Sequence, residues 1–194
     1  MFTDLNKHAV KTSNSISELY DGRDALAVMT RRVIESVSFL NSYVDKEHDH
    51  LGIYSKHLFT LNHFYKANKR IVGKKHSYQA EEFLTRYWEL VSKNMMPWIE
   101  MEKGSLCKTD LRSQYVASQA IIIQIFGKVG VYYYQGTEDD MESSLMKLQL
   151  IDWKRSNHQW KRITQLGGRM VNCEKTICLA ANLIKQTVGD RIEL

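Results

Sequence analysis

From Val116 to Phe126 the chain is apolar around most of the circumference that a helix would present, with Ala117, Ala120, Ile121, Ile122, Ile123 and Ile125 interrupted only by Ser118, Gln119 and Gln124. A helix apolar on all sides must be surrounded by others, so this stretch demands a multi-helix core. Three consecutive isoleucines suit a strand equally well, but Leu111 and Tyr115 carry the helical spacing back to Thr109, and that length favours helix. One central helix is therefore expected from Thr109 or Asp110 to Phe126. Gly127 and Gly130 are expected to loosen the chain after it, ahead of the run Val131-Tyr132-Tyr133-Tyr134, whose rings should face inward.

Other amphipathic segments surround it. Asp24 can cap a helix whose stripe is Leu26, Met29, Val33, Val37 and Leu40. Ser55 is placed to cap a second, running to about Ile71 on Leu58, Leu61, Phe64, Tyr65 and Val72, with Gly73 as C-cap. Its outer face is basic: His63, Lys66 and Arg70 lie on one side, and Lys69, Lys74 and Lys75 extend it. Ser77 opens a third helix on Leu84, Tyr87, Trp88, Val91 and Met95, which Pro97 stops. Thr137 with Glu138, Asp139 and Asp140 opens another on Met141, Leu145 and Leu148. The last follows Asn172 or Cys173 on Ile177, Ala181, Ile184 and Val188. The expected fold is mainly α, a single domain of about seven helices, with an opening block and loop (1–24), a helical body (25–150) and a basic C-terminal segment (151–194).

Charge singles out that last segment. Of the net +5 of the 194 residues, all resides between Trp153 and Leu194, where eight Lys/Arg face three acids; the remainder carries 19 of each sign. A neutral body with one basic end is a handle for a polyanion. Lys154-Arg155 and Lys161-Arg162 are seven residues apart, as are Trp153 and Trp160, and Gly167-Gly168 precedes Arg169. Arginine and lysine neutralise phosphates, and a Gly-Gly turn lets backbone N–H groups approach one. The indoles are expected to pack inward and hold the basic pairs in place, while Ser156 and Asn157 add phosphate contacts or cap a helix.

Ile151-Asp152-Trp153-Lys154-Arg155-Ser156-Asn157, then Trp160, Gly167-Gly168-Arg169 and Leu179-Ala180-Ala181-Asn182-Leu183-Ile184-Lys185, resemble the C-terminal part of the DndB family of DNA sulfur modification proteins. The opening Met1-Phe2-Thr3-Asp4-Leu5-Asn6 and Leu19-Tyr20-Asp21-Gly22-Arg23-Asp24 look like the segment that follows the family's Asp-Gly-Gln-His-Arg signature, and Ser55 to Leu61, Trp88 and Pro97-Trp98 fit between in the same order. The signature is absent from these 194 residues. The resemblance implies the helical part of a larger α+β protein of the DGQHR type, with Asp4 and Asn6 adjoining a site whose other half lies upstream.

The same resemblance implies a place in the bacterial systems that replace a non-bridging phosphate oxygen of DNA with sulfur, as a DNA-binding repressor of the modification genes. Two other classes stay open: a protein-interaction module of the modification or restriction machinery, contacting its other subunits, and the helical part of a nuclease-like enzyme. Catalysis finds little support in the residues themselves, which contain no phosphate loop, G-x-S-x-G or H-E-x-x-H. His48-Asp49-His50 lacks the partner spacing of a metal site, and Cys107, Cys173 and Cys178 lack C-x-x-C spacing, so neither metal nor cofactor is expected. Free thiols, no apolar leader and no membrane-length apolar run lead to a cytoplasmic expectation.

Overall fold

The computed structural model describes residues 22–52, 54–74, 76–136, 141–161, 163–165 and 169–188. Among them the protein is mainly helical, with ten α-helices and two minimal two-stranded pairings. Residues 1–21 of the predicted opening block, including Asp4 and Asn6, and Thr137 with the acids at 138–140 lie outside the described residues.

Asp24 caps α1 (Ala25–Ser36) as expected, its Oδ1 accepting from the Leu26 and Ala27 amides at 2.8 and 3.2 Å. The stripe through Leu40 is buried, yet it does not belong to one helix. Val37 is extended, and α2 (Ser38–Tyr43) restarts beyond it. Ser36 sits at the break, its hydroxyl donating to the Arg32 carbonyl at 2.8 Å in competition with the helix ladder.

The expected start of the second helix at Ser55 is corrected. Ser55 closes a local turn, accepting from the His57 amide, and Phe59–Thr60 (β2) instead pairs in parallel with Val44–Asp45 (β1). α3 (Leu61–Val72) begins after Thr60, in a reciprocal capping box with His63. Gly73, at φ +60°, ends it as predicted. Ser77 caps α4 (Tyr78–Asn94), and Pro97, which was expected to stop that helix, also occupies the first turn of α5 (Met96–Glu102).

The central helix departs most from expectation. Its predicted first half is a separate α6 (Lys108–Gln114), followed by extended Tyr115 and a 3-10 turn at Val116–Ser118. The core helix proper, α7 (Ile121–Gln135), runs straight through both glycines. Rather than loosening the chain, Gly127 and Gly130 admit α3: a Cβ on Gly127 would stand 3.0 Å from the Ala67 Cα, and one on Gly130 2.7 Å from the Ile71 Cδ1. Ile122, Ile123, Ile125, Phe126 and Val129 are fully buried. Of the tyrosine run, Tyr133 is buried while Tyr132 faces out beneath the Lys185 ammonium, 4.9 Å from its ring centroid.

Polar groups inside this core are tied together. Trp88 donates to Asn68 Oδ1 at 2.8 Å, Asn68 donates to Thr30 Oγ1 at 3.2 Å, and the Tyr87 hydroxyl donates to the Phe126 carbonyl at 2.6 Å. Such bonds specify which face of α4 meets α3 and α7, because a mismatched pairing would strand buried donors. α8 (Met141–Met146), a 3-10 turn at Lys147–Leu150, α9 (His158–Lys161) and α10 (Glu174–Val188) complete the body. α10 packs on α7 beside α3.

Candidate nucleic-acid interface

The C-terminal segment is anchored by its tryptophans. Trp153 and Trp160 are 1% and 0% exposed and stack at 5.5 Å with 25° between their planes, with Phe126 of α7 6.2 Å from Trp153. Their N–H groups donate to the carbonyls of Leu148 and Asp152, at 3.3 and 2.7 Å. Both indoles are thus core groups, as expected. Short chain reversals around them, rather than one long helix, set the direction of each neighbouring side chain. Asn157 caps α9, its Oδ1 accepting from the Gln159 amide at 2.9 Å. Asp152 Oδ1 accepts from the Lys154 amide at 3.0 Å.

This frame separates residues that the seven-residue spacing had grouped. Lys154, Ser156 and Lys161 are exposed, whereas Arg155 is turned inward. Lys154 forms an antiparallel bridge with Tyr115, the Arg155 amide donates to the Gln114 carbonyl at 2.7 Å, and the Arg155 guanidinium donates from Nη2 to the Arg112 carbonyl at 2.6 Å and from Nε to the Tyr115 carbonyl at 3.3 Å. These are carbonyls at the end of α6, which that helix cannot pair itself, so Arg155 acts as its C-terminal cap. Arg155 thus commits Nε and Nη2 to carbonyls of the chain itself, and its side chain also lines a cleft with Arg112. Of the rest of the predicted set, Arg162 and Gly168 lie outside the described residues, and Arg169 pairs through its backbone in β4 (Arg169–Met170) with Gln165 of β3 (Thr164–Gln165).

On the second basic surface Lys66 is exposed as predicted. Arg70, however, grips Glu174 of α10 in a bidentate pair at 2.6 and 2.8 Å, with Lys128 3.9 Å from the same carboxylate. The guanidinium beside it holds the Glu174 carboxyl below its ordinary range. His63 leaves the basic face altogether. Burial, reinforced by Lys66, pushes its pKa down to about 4, and Nδ1 accepts from the Thr60 amide at 3.1 Å, so it serves as a neutral cap.

Arg112 is the residue that sequence reading missed. It reaches from α6 to the carbonyls of Ser55 and His57, at 3.1 and 2.6 Å, and with Arg155 lines a cleft of ≈ 510 Å³ that also includes Ser118, Gln119 and Asn172. Arg112 and Arg155 are 43 positions apart, and no spacing rule joins an arginine in a short polar helix to one in a distant turn. The cleft and the exposed lysines present cations and amides suited to anion contact.

Asp45 gathers a separate group. Although burial raises its pKa, the Glu47 and His48 amides, at 2.8 and 3.0 Å, and the His48 side chain hold it below the ordinary value. His57 Nδ1 also lies 3.2 Å from its Oδ2. Among the described residues no cluster of three or more His, Cys, Asp or Glu side chains is placed to hold a metal, and no helix is long and apolar enough to cross a membrane.

Fold and site together define a mainly helical protein with a tryptophan-anchored, basic C-terminal segment. A family model described as DndB, DNA-sulfur modification-associated, matches residues 1–191, and the chain belongs to that family. Membership associates it with DNA sulfur modification. No curated protein matches the chain, and no solved structure does.

Proposed function

We propose that this chain is a DNA-binding accessory protein of a DNA sulfur modification system, acting as a repressor of the modification genes and not as a catalyst, and that it works in the cytoplasm. The observation that carries the proposal is the placement of Lys154 and Lys161: both are exposed on a segment locked by a buried indole stack, within the stretch that holds the whole net charge of the chain. A rigid frame lowers the entropy lost when a lysine meets a phosphate. Family membership supplies the context in which the polyanion is DNA.

The test is a salt series of DNA binding by fluorescence anisotropy, comparing the parent with Lys154→Ala plus Lys161→Ala. Two lost phosphate contacts reduce the slope of log K against log salt by roughly 1.8 and weaken binding to all sequences alike. Lys66→Ala is the comparison for the second basic surface. An unchanged slope in the double variant overturns the assignment. Co-purification of the chain with other subunits of the system, without DNA, would then identify it as an interaction module.

A further inference from the structure

A second cleft, of ≈ 430 Å³, lies between the α1–α2 junction, α4 and α5 and shares no lining residue with the arginine cleft. Its volume is in the range of small-molecule sites. Val37, Phe39 and Ile99 supply apolar wall, and the Phe39 ring is held in place by stacking on Trp98 at 4.5 Å with 9° between planes. Against that wall stand groups whose bonding is incomplete.

Ser92 of α4 is 6% exposed, and its hydroxyl has no hydrogen-bond partner among the described residues. A helical serine with a buried hydroxyl ordinarily donates to the carbonyl one turn back; this one lines the cleft instead. Buried hydroxyls without partners are few in folded proteins, and each calls for an explanation. Glu102, in the last turn of α5, also lines the cleft, and burial raises its carboxyl pKa. It has no ion pair or hydrogen bond among the described residues, and it stands at the negative end of its helix, where a carboxylate is least favoured and a cation most welcome. The lysines nearby leave that charge unmet: Lys93 is engaged by Glu89 at 2.6 Å, and Lys103 is exposed without pairing to either carboxylate.

We propose that this cleft binds an alkyl cation, an ammonium or guanidinium on an apolar stem, with the stem against Phe39 and Ile99, the charged head on Glu102, and Ser92 Oγ accepting one of its N–H donors. The chemistry is selective. A neutral alcohol of the same length gains the apolar contact without the ion pair. The ligand is either a free small amine or the basic side chain of a partner protein, which present the same head and stem.

The full chain is titrated with n-butylguanidinium and, separately, n-butanol, following the Ser92 amide and Trp98 indole resonances. Saturable shifts with the cation and weaker ones with butanol are expected. Glu102→Gln, isosteric and on an exposed residue, should weaken cation binding about two- to fivefold, the range for an ion pair on a solvent-screened carboxylate. Ser92→Ala should weaken it less. A blocked Ala-Arg-Ala peptide that binds as well as the alkyl cation identifies a partner's side chain as the source; a peptide that is excluded identifies a free amine. Absence of saturation by about 50 mM cation, equal binding of butanol, or an unchanged affinity in Glu102→Gln overturns the proposal.

Discussion

Arg155 donates from Nη2 to the carbonyl oxygen of Arg112 at 2.6 Å, across 43 residues of sequence, and so fastens the C-terminal segment to the end of α6. Its neighbour Lys154 shares the same basic dipeptide but faces solvent. Adjacent charges thus have different consequences, one for stability and one for surface potential.

Arg155→Ala should therefore destabilise the fold by about 1–3 kcal/mol, through the loss of charge-assisted bonds to helix-terminal carbonyls. Lys154→Ala should stay within about 0.5 kcal/mol of the parent, as is usual for exposed sites. Urea denaturation of the two variants checks this. Equal midpoints would show that the Arg155 contacts carry no net stability.

His63 makes stability pH-dependent. Its pKa is depressed from 6.5 to about 4, so the unfolded chain binds a proton more readily than the folded one between those values. The contribution is fully present above the unfolded value, falls as pH drops from 6.5 towards 4, and is lost below that. It amounts to about 3 kcal/mol at most. His63→Gln keeps an acceptor for the Thr60 amide but does not titrate, so its stability should change less with pH over that window. Chemical denaturation at a series of pH values measures the difference.

Gly127→Ala tests the close approach of α3 to α7. Alanine would improve helix propensity by about 1 kcal/mol, but its methyl meets the Ala67 backbone at 3.0 Å, which cannot yield without moving a helix. Overpacking of about 1–3 kcal/mol should outweigh the propensity gain. A variant that melts above the parent would contradict the packing of these helices.

The Arg70–Glu174 pair should couple by less than about 1 kcal/mol in a double-mutant cycle, because the Glu174 side chain is 57% exposed and solvent screens it. Its pH dependence follows from the lowered Glu174 pKa: the contribution is present above the ordinary carboxyl value of 4.5 and is lost as pH falls through the lower folded value. High salt should reduce the coupling.

By itself the sequence determined the helical class, the buried stripes, the caps at Asp24, Gly73 and Ser77, and the inward packing of Trp153 and Trp160. Each of these follows from periodicity, backbone preference or side-chain area, which act over a few residues. Only the tertiary structure decided where continuous patterns break. Tyr115 leaves the helix because its backbone pairs with Lys154, and the chain enters Phe59–Thr60 as a strand because Val44–Asp45 lies beside it. Tertiary packing likewise turned two helical glycines into a seat for α3 and a surface histidine into a neutral cap. The basic residues show the same division. Their number could be counted from the chain, but whether a cation faces solvent, caps a helix or meets Glu174 depends on partners 40 to 104 positions away, and no local pattern encodes those.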